Sequence, residues 1–369
     1  MRPRRIKLFF FRIAAHLDPA LILIVLFLMS VGLVCVYSAS YPDNITRFNS
    51  QIINMILAFL LMILVAQISP HKLMRLAPIF YLAGFILLIA VDRFGVVVNG
   101  SRRWISLFGI IRIQPSEIMK IAMPMILAWY FHKNESTLTL KTFIVSGILL
   151  ILPIIFILKQ PDLGTSLLVG AAGFSVIFFA GLSWKIIMGF CAGGLAILPF
   201  VWERMHDYQR RRVLTLFDPS SDPLGAGYHI IQSTIAIGSG GVFGKGWLHG
   251  TQTHLKFIPE KHTDFIFAVL AEEWGIIGSI VLLFLFFCLI VRGLMISSTA
   301  TTLFSRLLAA SISMVFFIYA FVNIGMVSGF LPVVGVPLPF ISYGGTALLT
   351  LMLGVGILMS IQTHRTLTK

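Results

Sequence analysis

The sequence predicts an all-α polytopic membrane protein, with about ten transmembrane helices and one large external loop between the seventh and the eighth. Three observations predict it. Of 369 residues, 58% are hydrophobic and only 11% are charged, against about a quarter charged in a typical soluble chain. Apolar runs long enough to span a bilayer, about 17–25 residues, recur along the whole length. The one long interruption, 203–263, is polar, glycine-rich and basic. Residues 1–369 are therefore read as a single integral membrane domain: 1–202 carries spans one to seven, 203–263 is the large loop, and 264–369 carries spans eight to ten.

The basic start MRPRRIKLFFFR precedes span one, 20–38. That apolar run is long for a signal peptide, although SAS at 38–40 resembles a cleavage site, and an uncleaved first span is expected. Asp18-Pro19, an acid before proline at a helix entry, reads as a cap. Spans two and three follow at 51–68 and 76–92. Span four, 115–131, opens with RIQPSEIMK, where Pro115 and Glu117 suit a first turn. Lys120 does not, because a cation there opposes the helix dipole. Glu117 and Lys120 lie three apart on one face, so they form either an ion pair or a cation kept for an anionic substrate and held by its neighbour. Span five covers 142–158. Asp162 follows a proline at the entry to span six, 162–181, as a cap or a site acid. Only GLSW separates span six from span seven, 183–202, which predicts a tight helical hairpin.

The loop 203–263 is about 60 residues long, too long for a simple connector. It holds a helix-compatible basic stretch, ERMHDYQRRRV, then the turn formers of DPSSDPLGAGYHIIQS and the glycines of GSGGVFGKGWLHG. The glycines do not make a phosphate loop: at the required spacing before Lys245 the first glycine is Ser239, and the closing Ser or Thr is Gly246. A flexible folded surface loop is the expectation for most of them. Spans eight, nine and ten are expected near 264–291, 307–330 and 342–362. GVPLPFISYGG, with two prolines and two closing glycines, permits a broken or re-entrant entry to the last span. Pro337, Pro339, Ser342 and Gly344 are expected to shape a cavity there rather than to do chemistry.

Basic residues of the short loops fall mainly on one side if the amino terminus is inside, which puts both termini in the cytoplasm and 203–263 outside. The net charge of +14 is spread over loops between apolar spans. Anionic lipid headgroups or an anionic lipid-linked substrate fit that pattern, and nucleic acid does not. Cys35, Cys191 and Cys288 all lie in apolar runs and read as small buried hydrophobes, with no disulfide or metal spacing.

The 14 acids are few, and none follows Glu273. Ionisable groups in spans are expensive and face an interior or a wet cavity. Asp264 at the start of span eight is either a favourable acid at a helix N-terminus or a carboxylate held at the outer surface as a base. At about 100° per residue Glu273 points away from it, and Glu272 lies roughly 12 Å further along. Those two are expected to be structural. Arg47, Arg102, Arg103 and Arg112 in the first external loops, with Arg210 and Arg212, are either solvated or gathered around an anion.

Four stretches, RIQPSEIMKIA, QPDLGTS, GYHIIQSTIAIGSGGVFGKGWLHGTQTHLKFIPEKHTDFIFAVLAEE and GVPLPFISYGG, resemble the SEDS family (shape, elongation, division and sporulation), and most closely its cell-elongation branch. The resemblance covers nearly the whole chain and is weakest at the amino-terminal tail and the first external loop, where Arg47 lies. It implies a peptidoglycan glycosyltransferase of the bacterial cytoplasmic membrane that polymerises lipid II into β-1,4 glycan strands at the external face during cell elongation. It implies as partners a class B penicillin-binding protein, which is a transpeptidase, and other proteins of the elongation machinery. The family's essential acid falls on Asp264, with Glu117, Lys120 and Asp162 on other site positions. Arg47, Arg103, Arg210 and Arg212 fall on basic positions near the external cavity.

A β product from an α-linked donor requires one inverting displacement, so one base must take the proton of the acceptor 4-hydroxyl. Diphosphate leaves without a strong protein acid but needs positive charge. Asp264 is assigned as the base, and Lys120 and the external arginines as diphosphate binders. No cofactor is certain; a divalent cation on the diphosphate is compatible, with Asp162 or Glu117 as oxygen ligands. The competing readings are a lipid II flippase or another multi-span transporter, and a non-catalytic scaffold of the elongation machinery.

Overall fold

The computed structural model describes residues 16–42, 45–98, 101–107, 111–160, 162–205, 207–222, 225–255, 257–258 and 260–366. Each expected span falls on a helix: α1 (Pro19–Ser40), α2 (Ile45–Ala66), α3 (Pro70–Phe94), α4 (Pro115–Lys133), α5 (Leu140–Lys159), α6 (Leu163–Phe179), α7 (Trp184–Arg204), α11 (Ile266–Thr299), α12 (Leu303–Val327) and α13 (Gly345–Thr366). Seven of them, all but α4, α6 and α7, are long and apolar enough to cross a membrane by length and composition. The chain is an integral membrane protein. Outward-facing Leu, Ile and Phe along α2, α3, α5 and α11 are exposed, as lipid contact requires.

Local chemistry sets the helix starts. Asp18 accepts the Leu21 N–H at 2.9 Å with Pro19 behind it, so the cap read from the sequence is present. The same carboxylate takes both arms of Arg292 from α11, a pairing no local pattern signals. Asp162 caps α6 through the Thr165 N–H at 3.1 Å, and Thr302 caps α12 through the Ser305 N–H at 3.2 Å. Between α6 and α7 the chain turns on Gly181, whose φ of 103° favours glycine.

Helices α4 and α12 sit at the centre, packed on each other and on α6, while α3, α5, α11 and α13 close around them. Helix α7 lies at the periphery, and most of its described side chains are exposed.

The structure adds a feature that the all-helical reading did not contain. Between α3 and α4 three strands, β1 (Val96–Val98), β2 (Ser101–Leu107) and β3 (Ile111–Ile113), form a small antiparallel sheet in the order β1-β2-β3. The β-branched and aromatic residues of VVV, RRWIS and IRI favour strands over an extension of α3.

The large segment between α7 and α11 is built rather than loose. It holds α8 (Asp207–Phe217), a 3-10 turn at Pro219–Ser221, α9 (Ala226–Gly240) and the single turn α10 (Thr251–His254). The basic stretch is helical as expected. Helix α9 lies where turn-former density pointed to loop, because IIQSTIAIG carries an apolar face that packs on α11. The glycines after it are exposed in part, as a surface loop requires, and the backbone that carries them is tied to α11. Gly275 breaks α11 with φ 65° and ψ −157°, and the freed backbone is taken up by 241–246. Lys245 and Gly246 donate to the carbonyls of Glu272 and Glu273, both at 3.0 Å, while Ile276 and Ile277 donate back to those of Gly241 and Val242 at 3.0 and 3.2 Å. A Cβ on Gly244 would stand 2.1 Å from the Glu273 carbonyl, so only glycine allows this approach.

Candidate active site

Asp264 lies outside α11, in the turn that precedes it: the helix starts at Ile266 and its cap residue is Phe265. Asp264 thus stands two residues ahead of the helix it was expected to open. The turn forms because Thr263 and Phe265 both donate to the Glu260 carbonyl, at 3.1 and 3.3 Å, which delays the helical phase. Asp264 is half-buried, and its carboxylate lies against Gly335, where a built Cβ would be 3.4 Å from Oδ2. Gly335 has a φ of 74°, so the chain bends there without strain.

The segment 328–344 is irregular backbone folded into the bundle, with Val336, Leu338, Phe340 and Ile341 buried. Non-helical chain at this depth requires internal partners, and it has them. Ser342 Oγ accepts the Leu338 N–H at 2.7 Å, and Gln51 of α2 donates to the Ser342 carbonyl at 3.1 Å and accepts from the Gly344 N–H at 3.3 Å. Pro339 is buried beside them, Pro337 is half-buried, and both precede the α13 entry.

The same segment reaches the second acid. A Cβ on Gly164 would stand 2.6 Å from the Val334 carbonyl, so the start of α6 packs directly on the segment that carries Gly335. The helix that Asp162 caps and the carboxylate of Asp264 therefore both meet the segment 334–336. Asp162 is buried; beyond its cap bond, its Oδ2 accepts from Gln114 Nε2 at 3.1 Å and faces Arg103 at 3.8 Å. Arg103, on β2, also donates to the Gln160 carbonyl at 3.1 Å.

Glu117 and Lys120 form the ion pair that their spacing allows, with Nζ to Oε1 at 2.5 Å. Lys120 is 2% exposed, and it also donates to the Tyr319 hydroxyl of α12. Glu117 Oε2 is buried and has no partner among the described residues. Asn323, one turn beyond Tyr319, bonds the Asp264 backbone. Helix α12 thus contacts both the Lys120 pair and the Asp264 turn. Sequence reasoning missed Tyr319, Asn323 and Gln114. A polar amide within the apolar run of span nine was the available signal for Asn323.

The remaining basic residues divide. Arg47, exposed at the start of α2, lies near His262. Burial, with the positive charges of Arg47 and Lys261, holds the His262 imidazole down to about 4, so it is neutral at pH 7. Arg210 donates to the carbonyls of Trp202 and Glu203 at the end of α7, so a substrate contact would require it to release them. The side chains of Arg112 and Arg212 lie outside the described residues, as does that of Cys191.

Glu272 and Glu273 bond elsewhere than at the Asp264 turn, as expected of structural acids. Glu272 is fully buried and accepts from Lys245 Nζ at 2.9 Å, Gln252 N at 2.8 Å, and Thr253 N and Oγ1 at 3.1 and 2.9 Å. Glu273 accepts from Ser38 of α1. Both fasten the large segment and α1 to α11. Among the described residues no three His, Cys, Asp or Glu side chains gather at metal-binding distance. The oxygens of Asp162 are already taken up by Thr165, Gln114 and Arg103.

The family described as "Cell cycle protein", which takes in FtsW, RodA and SpoVE, matches residues 19–367. The peptidoglycan glycosyltransferase MrdB of Escherichia coli (strain K12) is 51% identical over 351 residues, 95% of this chain and 94% of the relative. The peptidoglycan glycosyltransferase RodA of Treponema pallidum is 32% identical over 94% of this chain and 98% of its own. Among solved structures, a chain from work described as "Structural coordination of polymerization and crosslinking by a peptidoglycan synthase complex" superposes with a TM-score of 0.82 at 32% identity, over 94% of this chain and 98% of that one. The rod shape determining protein RodA of Thermus thermophilus superposes at 0.72 with 28% identity, over 94% and 97%. A match over nearly the whole chain, in sequence and in backbone, places this protein in the FtsW, RodA and SpoVE family of cell cycle proteins, the SEDS family.

Proposed function

We propose that the chain is a peptidoglycan glycosyltransferase of cell elongation, polymerising lipid II into β-1,4 glycan with Asp264 as general base. The observation that carries the activity is the 51% identity to a peptidoglycan glycosyltransferase over 95% of the chain. The choice of base is supported by a half-buried carboxylate on a turn whose backbone is held, facing the irregular segment at Gly335.

In this reading Asp264 accepts the proton of the acceptor 4-hydroxyl as its oxygen attacks the anomeric carbon. The bond from that carbon to the diphosphate oxygen breaks, and undecaprenyl diphosphate leaves with the electron pair. Arg103 and Arg47 supply positive charge toward the diphosphate, and Arg212 joins them as a sequence-based assignment. Lys120, neutralised by Glu117, contributes to the cavity wall and polarises it, and Asp162 holds Arg103 in place. A neutral His262 adds no cation beside the base. The site faces the external side, with both termini in the cytoplasm. The partner is a class B penicillin-binding protein, and an apolar groove of about 580 Å³ between α11 and α12, lined by Phe286, Phe287, Phe317, Phe321 and Phe330, suits its membrane anchor.

The test uses purified protein with its transpeptidase partner and labelled lipid II. Glycan chains are expected from wild type and none from Asp264→Asn at unchanged folding and partner binding. Transbilayer movement of lipid II without polymer would favour a flippase instead.

A further inference from the structure

The turn bearing Asp264 is held by three consecutive carbonyls. His262 O accepts from the Tyr343 N–H at 2.8 Å, Thr263 O from Ser342 Oγ at 2.6 Å, and Asp264 O from Asn323 Nδ2 at 2.8 Å. The amide of Asn323 also donates to Val336 O at 2.7 Å. Val336 follows Gly335, the residue against which the Asp264 carboxylate lies. One side chain therefore fixes both the backbone of the acid and the backbone of the wall that the acid faces.

Asp264 precedes its helix, so the helical hydrogen-bond ladder does not hold it, and the Tyr343 N–H with the side chains of Ser342 and Asn323 does so instead. Asn323 is fully buried in an apolar helix, where an amide is costly unless it is used, and its Oδ1 has no partner among the described residues. An apolar residue of similar size would fill the space without that cost. The amide stands where it can aim a base, and misplacement by about 1 Å can cost 10²-fold in rate.

We propose that Asn323, with Ser342 beside it, is a positioning residue for the glycosyl transfer, acting through the main chain of Asp264. The inference rests on the reading of Asp264 as the base.

The test measures lipid II polymerisation by the full chain with its transpeptidase partner, with kcat expressed per molecule that binds lipid II, so that unfolded protein does not count. Asn323→Ala is expected to lower kcat about 10- to 100-fold at a KM within about twofold of wild type. Unchanged kcat, or a loss confined to KM, overturns the proposal. If Asn323→Ala does not fold, Ser342→Ala replaces it, with the same kcat loss expected and wild-type kcat overturning the proposal. Asp264→Asn runs in parallel. Polymerisation by that variant at the wild-type rate removes the base assignment and the proposal with it. Its inactivity together with unchanged kcat in the Asn323 and Ser342 variants overturns the positioning role alone.

Discussion

Lys120 donates to the hydroxyl of Tyr319 at the centre of the bundle, while its ammonium also pairs with Glu117. Two charges are thus buried together, and removing one partner of such a pair costs about 3–5 kcal/mol, whereas removing both costs much less. Lys120→Met is expected to lower the thermal unfolding midpoint more than Lys120→Met combined with Glu117→Gln. The measurement is intrinsic fluorescence of the protein in nanodiscs, and a double variant less stable than the single one would contradict the buried pair.

Glu272 holds α10 by accepting the N–H groups of Gln252 and Thr253 and the Thr253 hydroxyl. Hydrogen bonds to a charged group contribute about 1.5–3 kcal/mol each. In Glu272→Ala the amides of Gln252 and Thr253 are expected to exchange with deuterium about tenfold faster or more. Peptides from α4 should keep their protection, and loss of protection throughout would point to global unfolding instead.

Gly275 is the break in α11, and a Cβ there would lie 2.4 Å from the Gly244 nitrogen. Its backbone region is essentially confined to glycine, with a cost of about 1–3 kcal/mol for other residues. Gly275→Ala should release 241–246 from α11 and expose it to proteolysis near Lys245, detected by limited trypsin digestion. An unchanged digestion pattern would show that the loop does not depend on the break.

His262 has an imidazole pushed down to about 4 from the ordinary 6.5. Between these values the unfolded chain binds the proton and the folded one does not, so stability is fully present above about pH 6.5 and falls as pH drops towards 4. The slope from this group is at most about 1.4 kcal/mol per pH unit. Unfolding midpoints measured from pH 7 to 4.5 should decline less steeply in His262→Gln than in wild type, and parallel curves would exclude His262 as the source.

Much of this was legible in the sequence. Hydropathy located a helix at each expected span, seven of them long and apolar enough to cross a membrane, because lipid exposure acts on each helix separately. Asp18, Pro19, Asp162 and Pro115 marked helix starts, since capping acts over three or four residues. The spacing of Glu117 and Lys120 allowed their pair. Helix α11 starts two residues later than the expected span because the Glu260 carbonyl takes the N–H groups of Thr263 and Phe265, which helical phasing would otherwise use. Helix α9 was missed because turn-former density is a weaker signal than the α11 face it packs on.

By itself the sequence determined a membrane bundle and helix starts from patterns within a few residues, and Asp264 as the acid to test from its resemblance to the family over nearly the whole chain. Only the tertiary structure decided what those residues touch. Lys120 meets Tyr319 at a separation of 199 residues, Arg292 meets Asp18 at 274, and Asn323 meets the Asp264 carbonyl at 59. Such contacts follow from which helices pack together, and buried polar groups select that packing because each must find a partner out of reach of water.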